Sequence, residues 1–249
     1  MLSLVIIILS FLSLALMAPP RLLLDFITSK TDVIFRFPSP RKTSVLEKQK
    51  VYLTVDDSPS AYTYLILDAL RDCDNGKALF FVIGDYAKQY PDVLRALANT
   101  AGAAGVVSHD VGNHDLADRL TASPWRTSAE IKKDLLDCEI IIKTILNIDS
   151  GLRWLRPGSG LVTPSLHQAS KELGYKILLG DTYGHDCHLG FLGSWFLSKF
   201  YEWRITPGSV IILHDGTKER ATNTAAVIRH LYATKNISFA SLPLLPSPG

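Results

Sequence analysis

Hydrophobic and polar positions divide the chain into three regimes. Residues 1–18, MLSLVIIILSFLSLALMA, are apolar almost without interruption up to Pro19–Pro20. Residues 21–50 hold no sustained period and contain FPSPRKTS, with Pro38, Pro40 and several basic residues. From Val51 onward, short β-rich apolar runs alternate with amphipathic stretches. Strands are expected near VYLTV, ALFFVI, GVVS, RWLR, YKILL, SVIIL and ISFA. The clearest helix is TSAEIKKDLLDCEIIIKTIL, where Thr127 and Glu130 stand at capping-box spacing. Ile131, Leu135, Cys138, Ile142 and Ile145 then recur at steps of four and three, which is one helical face. Cys138 lies on that stripe and so reads as a core residue rather than a reactive thiol.

Strand–helix alternation implies parallel strands joined by crossover helices. About seven such strands in a chain of this length predict an α/β fold, a distorted or incomplete β/α barrel. The expected organisation is a hydrophobic leader over 1–20, a linker or arm over 21–49 and one catalytic domain over 50–249. With 249 residues, 47% of them hydrophobic, the chain can bury one sizeable core. A net charge of +2 and the lack of any Lys/Arg run argue against a nucleic-acid partner. Cys73, Cys138 and Cys187 are too widely spaced for a dense disulfide framework or a cysteine-based zinc site, and one disulfide of unassigned pairing stays open.

The leader has the length of a membrane helix and also resembles a long signal-peptide core. No Lys or Arg precedes it, whereas Arg21, Lys30, Arg36, Arg41 and Lys42 follow, which is the wrong flank for a simple secretory signal. On length, the expectation is entry to the secretory pathway, with the protein extracellular or anchored through residues 2–18. Asn236 opens an N-glycosylation acceptor triplet, NIS.

In a β/α barrel, polar residues just past the strand ends face one mouth. Five polar clusters fall at such places: Asp56–Asp57, SHDVGNHDLAD, LRPGSG, GDTYGHD and LHDG. Each alone has a structural explanation, such as a helix cap or a hydrogen-bonded loop histidine. Together on one rim they carry the residue types of a hydrolytic site. His114 and Asp118 are four apart and share a face if that segment is helical. With Asp57 they would make a three-ligand metal site with open positions for water. The ion would lower the pKa of its water and polarise a carbonyl. Alternation along a strand would point Asp56 and Asp57 to opposite sides, one to the metal and one beside its water as general base. Arg156 or Asp186 would hold Asp56 in place, and His214 would protonate a leaving amine. His109, five residues before His114, lies off that face.

TVDDS, GNHDLAD, RPGSG, HDC and IILHDG, in this order over roughly residues 50–242, resemble the motifs of the polysaccharide deacetylases, the NodB-homology domain of carbohydrate esterase family 4. The resemblance implies a hydrolase of non-peptide carbon–nitrogen bonds that removes N-acetyl or O-acetyl groups from carbohydrate, in the manner of a chitin-oligosaccharide deacetylase. It implies Asp56 as base, Asp57, His114 and Asp118 as metal ligands, and His214 as acid, with Arg156 and Asp186 tuning base and acid. Leu213 would lie beside the acetyl methyl group, and the backbone N–H of Ser159 would help stabilise the oxyanion. The implied cofactor is one divalent ion, zinc first, with cobalt or manganese as alternatives. The chain also departs from the family pattern. Asp118 stands where the family has a second histidine, a harder and more anionic donor. RPGSG lacks an aromatic wall, and Cys187 stands where a Trp is usual, so a more open groove is expected. Trp125 and Trp154 are the residues that could stack on a sugar, if they are not simply packing. Two other readings stay open: a degenerate carbohydrate-binding domain, and a metal-dependent hydrolase of a non-sugar amide or ester.

Overall fold

The computed structural model describes residues 21–38, 47–99, 108–121, 123 and 125–243. Among them are nine strands: β1 Val33–Ile34, β2 Gln49–Ser58, β3 Ala78–Val82, β4 Asp110–Asn113, β5 Trp154–Leu155, β6 Lys176–Leu178, β7 Thr182–Tyr183, β8 Val210–His214 and β9 Ile237–Phe239. Eight of them form one path in the order β1-β6-β5-β4-β3-β2-β8-β7, and β9 adds to the start of β2. Every ladder between these strands is parallel. The path does not close, because β1 and β7 are its two edges. The expected incomplete β/α barrel is therefore the observed architecture.

The alternation of β2 explains its double burial. Val51, Leu53 and Val55 face an outer core shared with Phe80, Val82, Ile211 and Leu213 and covered by helices Thr63–Asp72, Gly193–Arg204 and Lys218–Thr234. Tyr52 faces the other way, into a smaller cluster with Leu79, Phe81, Trp154 and Val210. A strand buried on both faces reads as a continuous apolar run, which is why it was visible as one. Helix Ser128–Leu146 carries the expected capping box: the Glu130 N–H donates to Thr127 Oγ1 and the Thr127 N–H to Glu130 Oε2. Ile131, Leu135, Cys138 and Ile142 are buried on its inner face, while Ile145 is half-buried and Leu146 takes the last buried place. None of the three cysteines is joined in a disulfide.

Residues 21–38, expected as a linker or arm, belong to the folded unit. Helix Arg21–Lys30 leads into β1, which pairs with β6 at Val33↔Ile177. Phe37 is buried and packs edge-on against Tyr52 and Trp154, with ring centroids 4.9 and 6.2 Å away. A two-residue strand has no period to read, and its neighbouring prolines disguised it. The strand expected at GVVS falls mainly on 105–107, outside the described residues; β4 lies further on, inside a stretch expected as loop. Its polar composition hid it, because Asn113 is satisfied internally, donating to Leu135 O and lying 2.9 Å from the Tyr175 hydroxyl. The leader over 1–20 lies outside the described residues, and no described helix is long and apolar enough to cross a membrane.

His109 belongs to this core and not to the chemistry. It is buried against the edge of Phe80, with ring centroids 5.4 Å apart. Burial, with some help from the Lys77 charge, pushes its pKa from the usual 6.5 down to about 4. The unfolded chain therefore takes up this proton before the folded one does. His109's contribution is complete above pH 6.5 and is lost as pH falls from there through 4. Urea unfolding between pH 7 and pH 4 should show a loss of about 3 kcal/mol from this group. His109→Leu should flatten that part of the profile; an unchanged slope would remove His109 as its source.

Candidate active site

Asp56 lies opposite His214 in the β2–β8 register. Beyond it the ladder to β3 shifts between Val55 and Ser58, and Asp57 takes a left-handed backbone, φ 58°. This local bulge re-aims a side chain. Asp56 and Asp57 therefore do not diverge, as strand alternation led us to expect, but converge on His114. Asp57 Oδ1 lies 3.5 Å and Asp56 Oδ2 4.0 Å from His114 Nε2. The bulge is braced from below by the fully buried Asp215, which accepts from the hydroxyls of Ser58, Ser60 and Thr63.

His114 follows β4 directly. Its Nδ1 lies 2.7 Å from the Arg156 carbonyl oxygen. A carbonyl only accepts, so Nδ1 carries the proton and Nε2 faces the carboxylates. Burial opposes a charge on this ring, but Asp56 and Asp57 outweigh it and raise its pKa. Arg156 is itself buried and is packed over the Phe81 ring at 4.3 Å. Its Nη1 donates to Asp56 Oδ1 at 2.7 Å and to Thr54 Oγ1 at 2.6 Å, and its Nε to Leu178 O at 2.9 Å. These bonds fix one Asp56 oxygen and leave Oδ2 facing the cavity.

The second imidazole is held from the opposite side. His214 Nδ1 lies 2.9 Å from Asp186 Oδ1, and the His214 backbone N–H donates to Asp186 Oδ2 at 3.0 Å. Burial would lower its pKa, but the Asp186 carboxylate, with Asp56 and Asp57 behind it, raises it to about 10. At neutral pH this ring is held as an imidazolium, and its Nε2 lies 4.0 Å from Asp56 Oδ2. Asp56 Oδ2 thus sits between two imidazoles. The cavity in front of them has a volume of about 580 Å³ and draws its lining from all five polar clusters.

Several expected residues stand elsewhere. Asp118 lines the cavity but is exposed, and its Oδ2 accepts from the Tyr86 hydroxyl at 3.1 Å. The segment after His114 is not helical. Asp115 has φ 77°, its N–H donates to Asn113 Oδ1, and its own Oδ1 accepts from the Leu116 N–H. Such local side-chain bonds compete with a helix, so the four-residue spacing does not stack Asp118 on His114. Leu213 is fully buried in the outer core, and Ile212 lines the cavity in its stead. His214 faces the cavity, so the residue two before it does too and the one between cannot. Ser159 sits at the rim, exposed and left-handed at φ 66°. Trp154 is buried packing, and Trp125 is 90% exposed. Cys187 lines the cavity with its sulfur 2.9 Å from the Tyr183 hydroxyl.

Tyr183, His185 and Arg220 also line the cavity and were not singled out in the sequence. Arg220 Nη1 donates to Asp57 Oδ2 at 3.0 Å. Thr217 caps helix Lys218–Thr234 and places Arg220 in its first turn, but nothing local shows that this side chain reaches Asp57.

Asp57 and His114 converge, whereas Asp118 is not brought to them. Among the described residues no group of three His, Cys, Asp or Glu side chains is arranged to hold a metal ion. The expected three-ligand site does not fit the arrangement as it stands. What the arrangement provides is a carboxylate oxygen oriented by a guanidinium, next to a charged imidazole oriented by a second carboxylate. This pairing can remove a proton from a nucleophile and deliver one to a leaving group.

The profile of the polysaccharide deacetylase family matches residues 43–178. A chitooligosaccharide deacetylase from Sinorhizobium fredii is 28% identical over 181 residues, 72% of this chain and 78% of that one. The fold is shared with a solved peptidoglycan N-acetylglucosamine deacetylase at a TM-score of 0.70 and 24% identity, covering 88% of this chain and 95% of that one. It is also shared with a family 4 carbohydrate esterase pseudoenzyme from Bacillus anthracis at a TM-score of 0.65 and 19% identity, covering 82% and 66%. Five polar clusters on one half-barrel rim, and a profile match across more than half of the sequence, lead to one assignment: the chain belongs to the polysaccharide deacetylase family.

Proposed function

We propose that the protein hydrolyses the acetamide of an N-acetylated amino sugar, releasing acetate and a free amine, as a chitin-oligosaccharide or peptidoglycan deacetylase does. The observation that carries this reading is Asp56 Oδ2, 4.0 Å from Nε2 of both His114 and His214, with His214 fixed by Asp186. Asp56 takes a proton from water as the water oxygen adds to the acetyl carbonyl carbon. His214, charged at neutral pH, gives its Nε2 proton to the nitrogen as the carbon–nitrogen bond breaks. The proton held by Asp56 then restores the imidazolium, and the site is ready for another turnover. Arg156 keeps Asp56 in the orientation this requires. Of the three ligands expected for a divalent ion, zinc before cobalt or manganese, Asp57 and His114 converge and Asp118 stands apart. On the length of its apolar leader, the protein belongs to the secretory pathway, extracellular or anchored through residues 2–18.

The test is acetate release from N-acetylated chitooligosaccharides and peptidoglycan fragments, with and without added zinc or cobalt. Acetate above the no-enzyme rate is the expected result, and none from any acetylated glycan would end the hydrolase reading. The second reading, a carbohydrate-binding domain without turnover, is favoured by the incomplete ligand set at Asp57 and His114. It predicts saturable binding of the same glycans with no acetate.

A further inference from the structure

We infer that the Arg220 guanidinium is the resident cation of this site, seated on Asp57 in competition with any divalent ion. The contact is direct: Arg220 Nη1 to Asp57 Oδ2, 3.0 Å, between side chains 29% and 14% exposed. Its placement is built into the fold. The Arg220 N–H donates to Thr217 Oγ1 at 3.2 Å, which anchors the first turn of helix Lys218–Thr234 beside the cavity. Gly216, φ +86°, lets the chain turn from β8 into that helix, and a Cβ there would meet Asp57 Cβ at 3.5 Å. The only other acid expected as a ligand, Asp118, is engaged by Tyr86. Both candidate carboxylates therefore already have partners within the protein.

The physical argument is charge. A guanidinium does not lose its proton in a protein. A divalent ion at Asp57 would meet a permanent positive charge within a few ångströms, in a partly buried site where screening by salt is weak. It would also have to take Asp57 away from a charge-assisted hydrogen bond. Arg220 thus supplies, from the chain itself, positive charge next to the acid–base pair, where a developing oxyanion can be stabilised. The inference concerns the same cavity as the deacetylase reading, but its test requires no turnover.

The experiment is calorimetric titration of the full chain with Co²⁺ alone, alongside the visible absorption of bound cobalt. The wild type is compared with Arg220→Met, Arg220→Gln and Arg220→Lys. Removing the charge should tighten Co²⁺ binding by about tenfold or more, and Arg220→Lys should stay near the wild type. Arg220→Gln keeps polarity and length, so it decides the matter if Arg220→Met does not fold. Equal Co²⁺ affinity in the wild type and in the folded neutral variant would overturn the inference, whatever the proteins do to acetylated sugars.

Discussion

Asp56→Asn is expected to lower kcat for acetate release by about 10²–10⁴-fold, the usual contribution of a positioned general base. Asparagine keeps an oxygen that can accept from Arg156 and nearly the same volume, so the cavity keeps its shape. What disappears is the second oxygen's capacity to take a proton, at the point where Asp56 now faces His114 and His214. Substrate affinity should change far less than turnover, because the amide still fills the same space. Steady-state kinetics together with a thermal melt separates the two effects. A kcat within threefold of the wild type, in a folded protein, would move the base to another residue. Because Asn leaves the buried Arg156 without its counter-charge, a modest drop in melting temperature should accompany the loss.

Arg156→Ala has the largest expected effect on stability. The side chain is 2% exposed, and it bonds Asp56, Thr54 and the Leu178 carbonyl while lying over Phe81. Truncating it strands a buried carboxylate, and breaking such a pair costs about 3–5 kcal/mol. Denaturant unfolding at pH 7 measures this. The informative companion is the double variant Asp56→Leu/Arg156→Met, which removes both charges and should be more stable than Arg156→Ala. A double variant no more stable than the single one would show that lost packing, not the unpaired charge, sets the cost. Arg156→Lys should rescue little, since an ammonium cannot copy the planar fork that reaches Asp56, Thr54 and Leu178 together.

The parts of the fold that the sequence revealed are those whose physics is local. β2, β3 and β8 are continuous apolar runs because both faces are buried. The helix from Ser128 has its cap and stripe written in consecutive residues. The gathering of Asp56, His114, Arg156, Asp186 and His214 was legible because polar residues at parallel strand ends must share one rim. The position of Ile212 was legible too, by counting two back from His214, although Leu213 had been assigned to the cavity by resemblance.

Other features have no local signature. β1 and β7 are two residues each, too short for any period, and exist only because a neighbouring strand offers them a ladder. The convergence of Asp56 and Asp57 depends on one left-handed residue, braced by an aspartate 158 positions later in the chain. The distance between Asp118 and His114 was decided by side-chain bonds at Asn113 and Asp115, which outcompete the helix that the spacing suggested.

The sequence by itself determined the parallel strand–helix architecture, the rim on which the chemistry lies and the types of residue that carry it, because burial and strand ends are read from neighbours along the chain. Arg156 was one of two partners expected for Asp56; only the tertiary structure decided between them and placed Arg220 on Asp57. Arg156 on Asp56 and Arg220 on Asp57 are pairings across 100 and 163 positions. Electrostatic partners are chosen by distance in space, a quantity that order along the chain does not contain.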